Sequence, residues 1–244
     1  MVCGRPAKPE RHLARLGRSA AALELTGPAE EEWLAGIGLA AREWGAESEG
    51  MLRLVLSRGP ERGGPETAYI TVGPVGPQVF RARAEGIGVT VLNRGFAADV
   101  ADSAPWMLLG SKTLSYAMNM AAVRHAVANG FDDVIYVSSD GEVLEGPRST
   151  VVIERAGELL SPPQDVGILE GTTLGAMAAV AQQAGVTVRR ERLLVADLLA
   201  ADAVWLVSSV TLAARVRRID SVTLPTAEPG IDVANLVDRA VGRA

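Results

Sequence analysis

The sequence contains few cysteine, histidine and aromatic residues. A single cysteine, Cys3, cannot form an internal disulfide, which is typical of a reducing compartment, so we expect a cytoplasmic protein. That cysteine and the two histidines, His12 and His125, are too few for a His/Cys metal site, and we predict no metal. No apolar run approaches the roughly 20 residues of a membrane-spanning helix, and the N-terminus lacks the apolar segment of a signal peptide.

The charge balance and hydropathy narrow the class of protein further. The chain has 244 residues, a formal net charge of −5 and 48% hydrophobic residues. An acidic balance argues against nucleic-acid binding, which usually shows as a basic patch. The apolar fraction is sufficient for a core, and the length allows one large domain or two small ones. We therefore predict a globular protein that binds neither nucleic acid nor a membrane.

Hydrophobic periodicity indicates an α+β organisation in two parts. We predict a small N-terminal α+β domain over residues 1–99, a connector at 100–105 and a larger, strand-rich domain over 106–244. In the first part the pattern predicts helices at 11–25 and 30–44, a hairpin of strands at 51–59 and 67–75, and a strand at 86–95. In the second it predicts helices at 113–130, 170–185, 195–200 and 231–242, with short strands between them.

Lys112 is one of only two lysines among 24 basic residues. It follows the apolar segment 106–110, read as a strand, and precedes a predicted helix. Burial favours the neutral amine, which is the form needed for Schiff-base chemistry, and arginine cannot replace it in that role. The alternative is a lysine that extends to water or pairs with a carboxylate. Local sequence leaves both interpretations open.

Four further segments contain candidate binding residues. Glu145 follows a turn and a short strand, where a carboxylate could hold a protonated pyridine nitrogen, although an exposed edge-strand glutamate is the simpler interpretation. Gly171, Thr172 and Thr173 stand at a predicted helix start, which is either an anion site or an ordinary N-cap. The remaining candidates are a hydroxyl-rich turn within 207–216 and Arg15, which either reaches a phosphate or lies on the surface.

Two common catalytic patterns are missing from the sequence. There is no G-x-S-x-G segment, and neither histidine has an acidic neighbour that would suggest a nucleophilic triad. The segment GIGVTVLNRG lacks the third glycine of a dinucleotide-binding fingerprint. Both histidines and this glycine pair are therefore interpreted as structural.

Taken in order, the segments HLARLGRSA, LRLVLSRG, SKTLSYAMN, DGEVLEGPRSTVVI, GILEGTTLGAM and VSSVTLAARV resemble the class IV (fold-type IV) pyridoxal-phosphate enzymes. This family includes branched-chain and D-amino-acid aminotransferases and aminodeoxychorismate lyase. The resemblance covers nearly the whole chain from about residue 5. It implies the two-domain fold of D-amino-acid aminotransferase, with a barrel-like larger domain, pyridoxal 5'-phosphate as cofactor, a small-molecule substrate and a homodimer.

The resemblance also implies a role for individual residues. Lys112 matches the lysine that carries the cofactor and moves protons, and Glu145 matches the acid that pairs with the pyridine nitrogen. Arg15, Thr172, Thr173 and Ser209 match the contacts to the cofactor phosphate. Val210 matches the backbone position near the substrate carboxylate.

The N-terminus differs from the family pattern. Members usually carry roughly 35–40 further residues before this point, including a pair of strands, so we expect Met1 to be an internal methionine read as a start. If the truncation is instead real, the small domain lacks strands and part of the substrate pocket, which puts activity in doubt.

Two features favour one branch of the family. The KTLSY run after the lysine, and an S-S-V turn where aminotransferases tend to have a G-T-A-like turn, resemble actinobacterial aminodeoxychorismate lyases. The resemblance implies conversion of 4-amino-4-deoxychorismate to 4-aminobenzoate, a folate precursor, and pyruvate. The first alternative is an aminotransferase acting on branched-chain or D-amino acids. The second is a truncated, inactive remnant, which failure to bind the cofactor would favour.

Overall fold

The computed structural model describes residues 1–2 and 4–243, so Cys3 and Ala244 lie outside the described residues. The described chain forms two compact units, one made of Met1–Pro77 with Val241–Arg243 and the other of Gln78–Ala240. Within these described ranges, no helix is long and apolar enough to cross a membrane.

The first unit packs two helices against a two-stranded antiparallel sheet. Its elements are α1 (Pro9–Ala22), α2 (Glu30–Trp44), β1 (Gly50–Ser57) and β2 (Thr67–Pro74). Leu13 of α1 and Trp33 and Ile37 of α2 are buried together, with the leucines of β1 packed against them. Val55 pairs with Tyr69 in the β1–β2 ladder, which confirms the predicted hairpin. The Gly- and Pro-rich segment 58–66 forms the connection.

The second unit is built on one large sheet. Its strands are β3 (Ile87–Asn93), β4 (Asp133–Val137), β5 (Thr150–Arg155), β6 (Glu158–Ser161), β7 (Val188–Arg190), β8 (Ala203–Ser208), β9 (Leu212–Ile219) and β10 (Val222–Thr223). Its helices are α3 (Pro77–Glu85), α4 (Val100–Ser103), α5 (Ala117–Ala128), α6 (Thr172–Gln183), α7 (Val195–Ala200) and α8 (Val233–Val241), with 3₁₀ turns at Pro105–Met107 and Gln164–Val166.

The strand order explains why β8 is apolar along nearly its whole length. The order is β4-β3-β9-β8-β5-β6-β7, and β10 pairs with β9. β8 lies between β5 and β9, and its residues from Ala203 to Val207 are all buried. A strand covered on both faces has no solvent side, so its sequence shows a continuous apolar run instead of alternation. Val89, Ile135, Val151 and Ile153 belong to the same core.

The boundary between the units differs from the expected connector at 100–105. The units divide after Pro77. β3, expected in the small domain, pairs in parallel with β4 and β9, with Val89 beside Asp133 and Ile219. Parallel pairing joins segments far apart in sequence, so local periodicity does not report which sheet a strand joins.

Two predictions around Lys112 are wrong. The apolar segment 106–110 is not a strand, because a 3₁₀ turn ends in a left-handed Leu108 (φ 53°) and Gly110 also has positive φ (76°). The next helix begins at Ala117 rather than at residue 113, so Lys112 lies in an irregular segment. The side chain of Lys112 is exposed in the single chain, whereas the local sequence had left burial and extension to water both open.

Candidate active site

Three hydroxyl groups meet at the start of α6. The Oγ1 atoms of Thr172 and Thr173 each lie 3.2 Å from the Oγ of Ser209, which follows the last residue of β8. Both threonines are buried and Ser209 is exposed. The sequence-predicted phosphate contacts of the second unit therefore lie together, and we call Thr172, Thr173 and Ser209 the hydroxyl cluster.

The backbone around Gly171 brings the helix start close to β5. Gly171 is the N-cap residue of α6, and no side chain caps the helix there. A Cβ at this position would collide with Oγ1 of Thr150, the buried first residue of β5. A residue without a side chain is required for this approach. The first N–H groups of α6 are thus presented beside the hydroxyl cluster, where the helix dipole favours an anion.

Glu145 is connected to the same segment. Its Oε2 accepts a hydrogen bond from the backbone N–H of Leu169 at 3.2 Å, three residues before Thr172. Its backbone carbonyl accepts a hydrogen bond from the N–H of Tyr136 at 2.9 Å, which ties it to β4. The half-buried carboxylate therefore contacts the short segment that leads into α6 and to the hydroxyl cluster.

Lys112 lies over an aromatic ring. Its Nζ is 5.4 Å from the centre of the Tyr116 ring, within the range of a cation–π contact. The hydroxyl of Tyr116 donates a hydrogen bond to the carbonyl of Pro147 at 3.0 Å, two residues after Glu145. Tyr116 thus connects the lysine segment to the segment that carries the acid.

Several polar residues in this region were not predicted from the sequence. Nδ2 of Asn119 donates to the same Pro147 carbonyl at 3.1 Å, and the hydroxyl of Tyr136 donates to Oδ1 of Asn119 at 3.3 Å. Arg94 stacks on Tyr136, with its guanidinium carbon 4.4 Å from the ring centre. An amide within the apolar run AMNMAAV was the available signal for Asn119, because an isolated polar residue in such a run needs a partner.

Burial raises the pKa of the Tyr136 hydroxyl, and the nearby carboxylate of Glu145 acts in the same direction. Arg94 acts against them and lowers the pKa. Since the net shift is upward, Tyr136 remains a neutral hydrogen-bond donor at physiological pH.

Val210 and Arg15, the two remaining residues predicted from the sequence, lie in different units. The carbonyl of Val210 accepts a hydrogen bond from Nη2 of Arg83 at 2.6 Å. Arg15 is half-buried on α1 in the first unit, and its expected phosphate contact remains a prediction.

These groups fit pyridoxal phosphate. A phosphate dianion requires several hydrogen-bond donors and benefits from a helix N-terminus, and the uncapped start of α6 with its three hydroxyls provides both. A pyridinium nitrogen requires an anionic acceptor, and Glu145 provides one nearby. The second unit therefore contains the kinds of group that a pyridoxal-phosphate site needs, and their assignment to the cofactor stays a prediction.

Comparisons with known proteins identify the family of the chain. A family model described as amino-transferase class IV matches residues 2–219. The chain is 45% identical to a bifunctional aminodeoxychorismate lyase / D-amino acid transaminase of Mycobacterium tuberculosis, over 98% of this chain and 86% of the relative. The chain belongs to the class IV aminotransferase family, as the sequence resemblance predicted.

Solved structures give the same result. A hypothetical aminotransferase from Mycobacterium tuberculosis, in an α-ketoglutarate- and PMP-bound form, is 46% identical with a TM-score of 0.96, over 98% of this chain and 86% of that one. A PLP-bound form gives a TM-score of 0.95. A fold IV transaminase from Curtobacterium pusillum is 37% identical with a TM-score of 0.89, over 98% and 81%. The predicted fold-type IV α+β class and pyridoxal-phosphate dependence are thereby confirmed.

Proposed function

We propose that this protein is an aminodeoxychorismate lyase, which converts 4-amino-4-deoxychorismate to 4-aminobenzoate and pyruvate and so supplies a folate precursor. The observation that carries the proposal is the 45% identity, across 98% of the chain, to a relative named for this activity. The arrangement of Glu145 and the hydroxyl cluster supports it, since the reaction needs a firmly held cofactor.

The proposed roles of the residues follow from their chemistry. When bound, pyridoxal phosphate supplies an electron sink for the carbon that carries the substrate amine. The hydroxyl cluster and the first N–H groups of α6 hold the phosphate, and Glu145 holds the proton on the ring nitrogen. Nζ of Lys112 removes the proton from the amine-bearing carbon. The C–O bond to the enolpyruvyl group then breaks and the ring becomes aromatic. The one proton that Lys112 removes balances the one that the enolpyruvate gains on becoming pyruvate, so the reaction needs no further reactant.

An amino-acid transaminase is the second candidate. It is favoured by the second activity in the name of the Mycobacterium tuberculosis relative and by the structural neighbour solved with α-ketoglutarate and PMP. The same lysine would move a proton between two carbons, and a 2-oxo acid would be the second substrate. D-amino acids or branched-chain amino acids are the donors to test.

We also infer that the working protein is a homodimer in the cytoplasm. Four large apolar side chains between residues 106 and 127 are well exposed in the single chain, namely Trp106 (76%), Leu114 (64%), Met118 (63%) and Val127 (60%). Water contact at so many large apolar groups is typical of a surface that another protein covers. A second copy is the simplest partner, because most soluble oligomers are symmetric. The low cysteine content supports the cytoplasmic placement.

A product assay separates the two activities. The protein, loaded with pyridoxal phosphate, is given aminodeoxychorismate alone, and 4-aminobenzoate and pyruvate are quantified. In parallel it is given D-alanine or a branched-chain amino acid with 2-oxoglutarate, and new glutamate is quantified. We expect equal amounts of 4-aminobenzoate and pyruvate in the first reaction.

Two variants remove the two lysines separately. Lys112→Ala tests the proposed catalytic residue, and Lys8→Ala is its matched control. We expect Lys112→Ala to lower the rate by at least about 1,000-fold. Loss of a catalytic proton carrier alone usually costs roughly 10²–10⁴-fold, and this substitution also removes the amine that carries the cofactor. Lys8→Ala should leave the rate unchanged. Glutamate without 4-aminobenzoate would replace the lyase proposal with the transaminase.

A further inference from the structure

The turn between β8 and β9 carries Ser209 and is strained at its end. The N–H of Thr211 donates to Oγ of Ser208 at 3.0 Å, a hydrogen bond within the turn that joins its two ends. The next residue, Leu212, has a φ of 62°, a left-handed conformation that branched side chains rarely adopt. Such a conformation persists only when surrounding contacts hold it.

Arg83 of α3 provides contacts that hold this turn. Its Nη2 donates to the Val210 carbonyl at 2.6 Å, and its Nε donates to the Thr211 carbonyl at 3.3 Å. Hydrogen bonds from a charged donor are roughly twice as strong as those between neutral groups. The guanidinium also presents its donors in a fixed plane, so one side chain fixes two successive carbonyls just before Leu212.

The guanidinium of Arg83 is oriented by its own helix. Its carbon lies 5.3 Å from the centre of the Phe80 ring, one turn earlier on α3, within cation–π range. Arg83 is half-buried, so these bonds compete less with water than bonds on an open surface. α3 is thereby connected to a turn 127 residues away in the sequence.

We propose that Arg83 is a positioning residue for the cofactor phosphate. By holding the carbonyls of Val210 and Thr211, it keeps the turn in the shape that places the Ser209 hydroxyl beside Thr172 and Thr173. This inference rests on the role of the hydroxyl cluster in the proposed function. Arg83 acts through Ser209 and has no assigned contact with cofactor or substrate.

The test measures cofactor binding rather than turnover. Arg83→Met removes the donors and keeps a long apolar side chain beside Phe80. Arg81→Met is the matched control, because Arg81 lies on the same helix and pairs only loosely with Asp132, at 3.5 Å on the surface. Each full-length variant, freed of cofactor, is titrated with pyridoxal phosphate and with pyridoxal, which lacks the phosphate.

We expect Arg83→Met to weaken binding of pyridoxal phosphate about tenfold, equivalent to about 1.4 kcal/mol, and to change pyridoxal binding less than twofold. Arg81→Met should change neither. Arg83→Lys, which retains the charge but not the planar fork, should give an intermediate affinity and serves if Arg83→Met does not fold. Equal weakening for both ligands, or no weakening for either, would overturn the proposal.

A double-mutant cycle with Ser209→Ala locates the effect. If Arg83 acts through Ser209, the double variant binds pyridoxal phosphate no more weakly than the weaker single variant. Additive losses would show that Arg83 acts elsewhere and would overturn the positioning role alone. An unchanged affinity in Ser209→Ala itself would overturn the assignment of the hydroxyl cluster, and the positioning role with it.

Discussion

At the residue scale, the chemistry of the site depends on a few side chains whose partners can now be named. The sequence indicated Thr172, Thr173 and Ser209 individually. In the structure the hydroxyl of each threonine lies 3.2 Å from the hydroxyl of Ser209. The sequence could not show that Arg83 and Asn119 support this region, because their hydrogen-bond partners lie far away in the sequence. Pairing over such distances is a property of the fold and not of a local pattern.

Glu145 provides the first residue-scale prediction. We expect Glu145→Gln to lower turnover by about two orders of magnitude, or roughly 2.7 kcal/mol in the barrier, because a neutral amide does not hold the proton on the pyridine nitrogen. The measurement is the steady-state rate at saturating cofactor. Glu142→Gln is the control, since it removes the same charge from a carboxylate that pairs with partly exposed Arg192 at 2.9 Å. A rate in Glu145→Gln equal to that of the control would contradict the role.

Two aspartates have pKa shifts of opposite sign. Burial raises the pKa of Asp133 above its ordinary value of 3.8, so the folded state binds its proton more readily than the unfolded state. Asp133 therefore favours folding most below pH 3.8 and loses this contribution as the pH rises through the folded-state pKa. Hydrogen bonds from Ser138 and from the N–H of Ala98 lower the pKa of Asp140, whose contribution is present above 3.8 and lost as the pH falls.

Because the two pKa shifts are opposite in sign, replacing each aspartate by asparagine should change the free energy of unfolding in opposite directions. At pH 7, Asp133→Asn should raise the free energy of unfolding and Asp140→Asn should lower it, as measured by urea denaturation. The difference in the free energy of unfolding between each variant and the parent protein should shrink as the pH is lowered from 7 towards 4. A destabilised Asp133→Asn at pH 7 would show that the carboxylate makes a favourable contact which outweighs its burial.

At the element scale, periodicity predicted those elements whose pattern is set by a single buried face. The range of α2 was predicted closely, and the short α7 was predicted at its observed bounds. α3 was missed because its sequence PQVFRARAE contains few apolar residues and none of them is buried. The strand predicted before Lys112 failed because left-handed residues at 108 and 110 interrupt an otherwise apolar run.

The start of α6 gives an element-scale prediction. Gly171→Ala should lower the free energy of unfolding by about 1–3 kcal/mol, the usual cost of overpacking, because its Cβ collides with Thr150. It should also weaken cofactor binding by displacing the hydroxyl cluster. Thermal or urea unfolding and a titration with pyridoxal phosphate measure the two effects.

Gly17→Ala is the matched control on α1. Apart from the adjacent residues and the backbone of α1 itself, no atom of the described residues lies within 4 Å of a Cβ at residue 17, and the residue is exposed within a helix. We expect a stabilisation of about 0.5–1 kcal/mol, because alanine restricts the unfolded chain and favours helix. An equal effect of the two substitutions would show that the approach of α6 to β5 does not require glycine.

At the scale of the whole molecule, sequence predicted an α+β fold with a hairpin-containing small part but placed the boundary too late. The strand β3 belongs to the large sheet through its pairing with β4 and β9. Family membership, by contrast, was visible in the sequence, because six short segments had to occur in one order. The order of motifs along the chain can be read directly from the sequence, whereas the sequence does not show which strands pair side by side in a sheet.

The exposed apolar side chains lead to a prediction about assembly. Met118→Glu should convert a dimer to a monomer, or weaken it by several kcal/mol, because a buried unpaired charge is costly. Light scattering coupled to size-exclusion chromatography measures the mass. Leu39→Glu is the control, since Leu39 is an exposed leucine on α2 (53%) outside the 106–127 surface. A dimer that persists in Met118→Glu would place the interface elsewhere.

The proposed chemistry depends above all on Lys112, which we predict to carry pyridoxal phosphate in this protein. Borohydride reduction of the cofactor-loaded, folded protein fixes the pyridoxyl group to whichever amine holds it, and peptide mass spectrometry locates the tag. With only two lysines in the chain, the answer is unambiguous. We predict a single tag on the peptide that contains Lys112. A tag on Lys8, or no tag in folded protein with excess cofactor, would contradict the account.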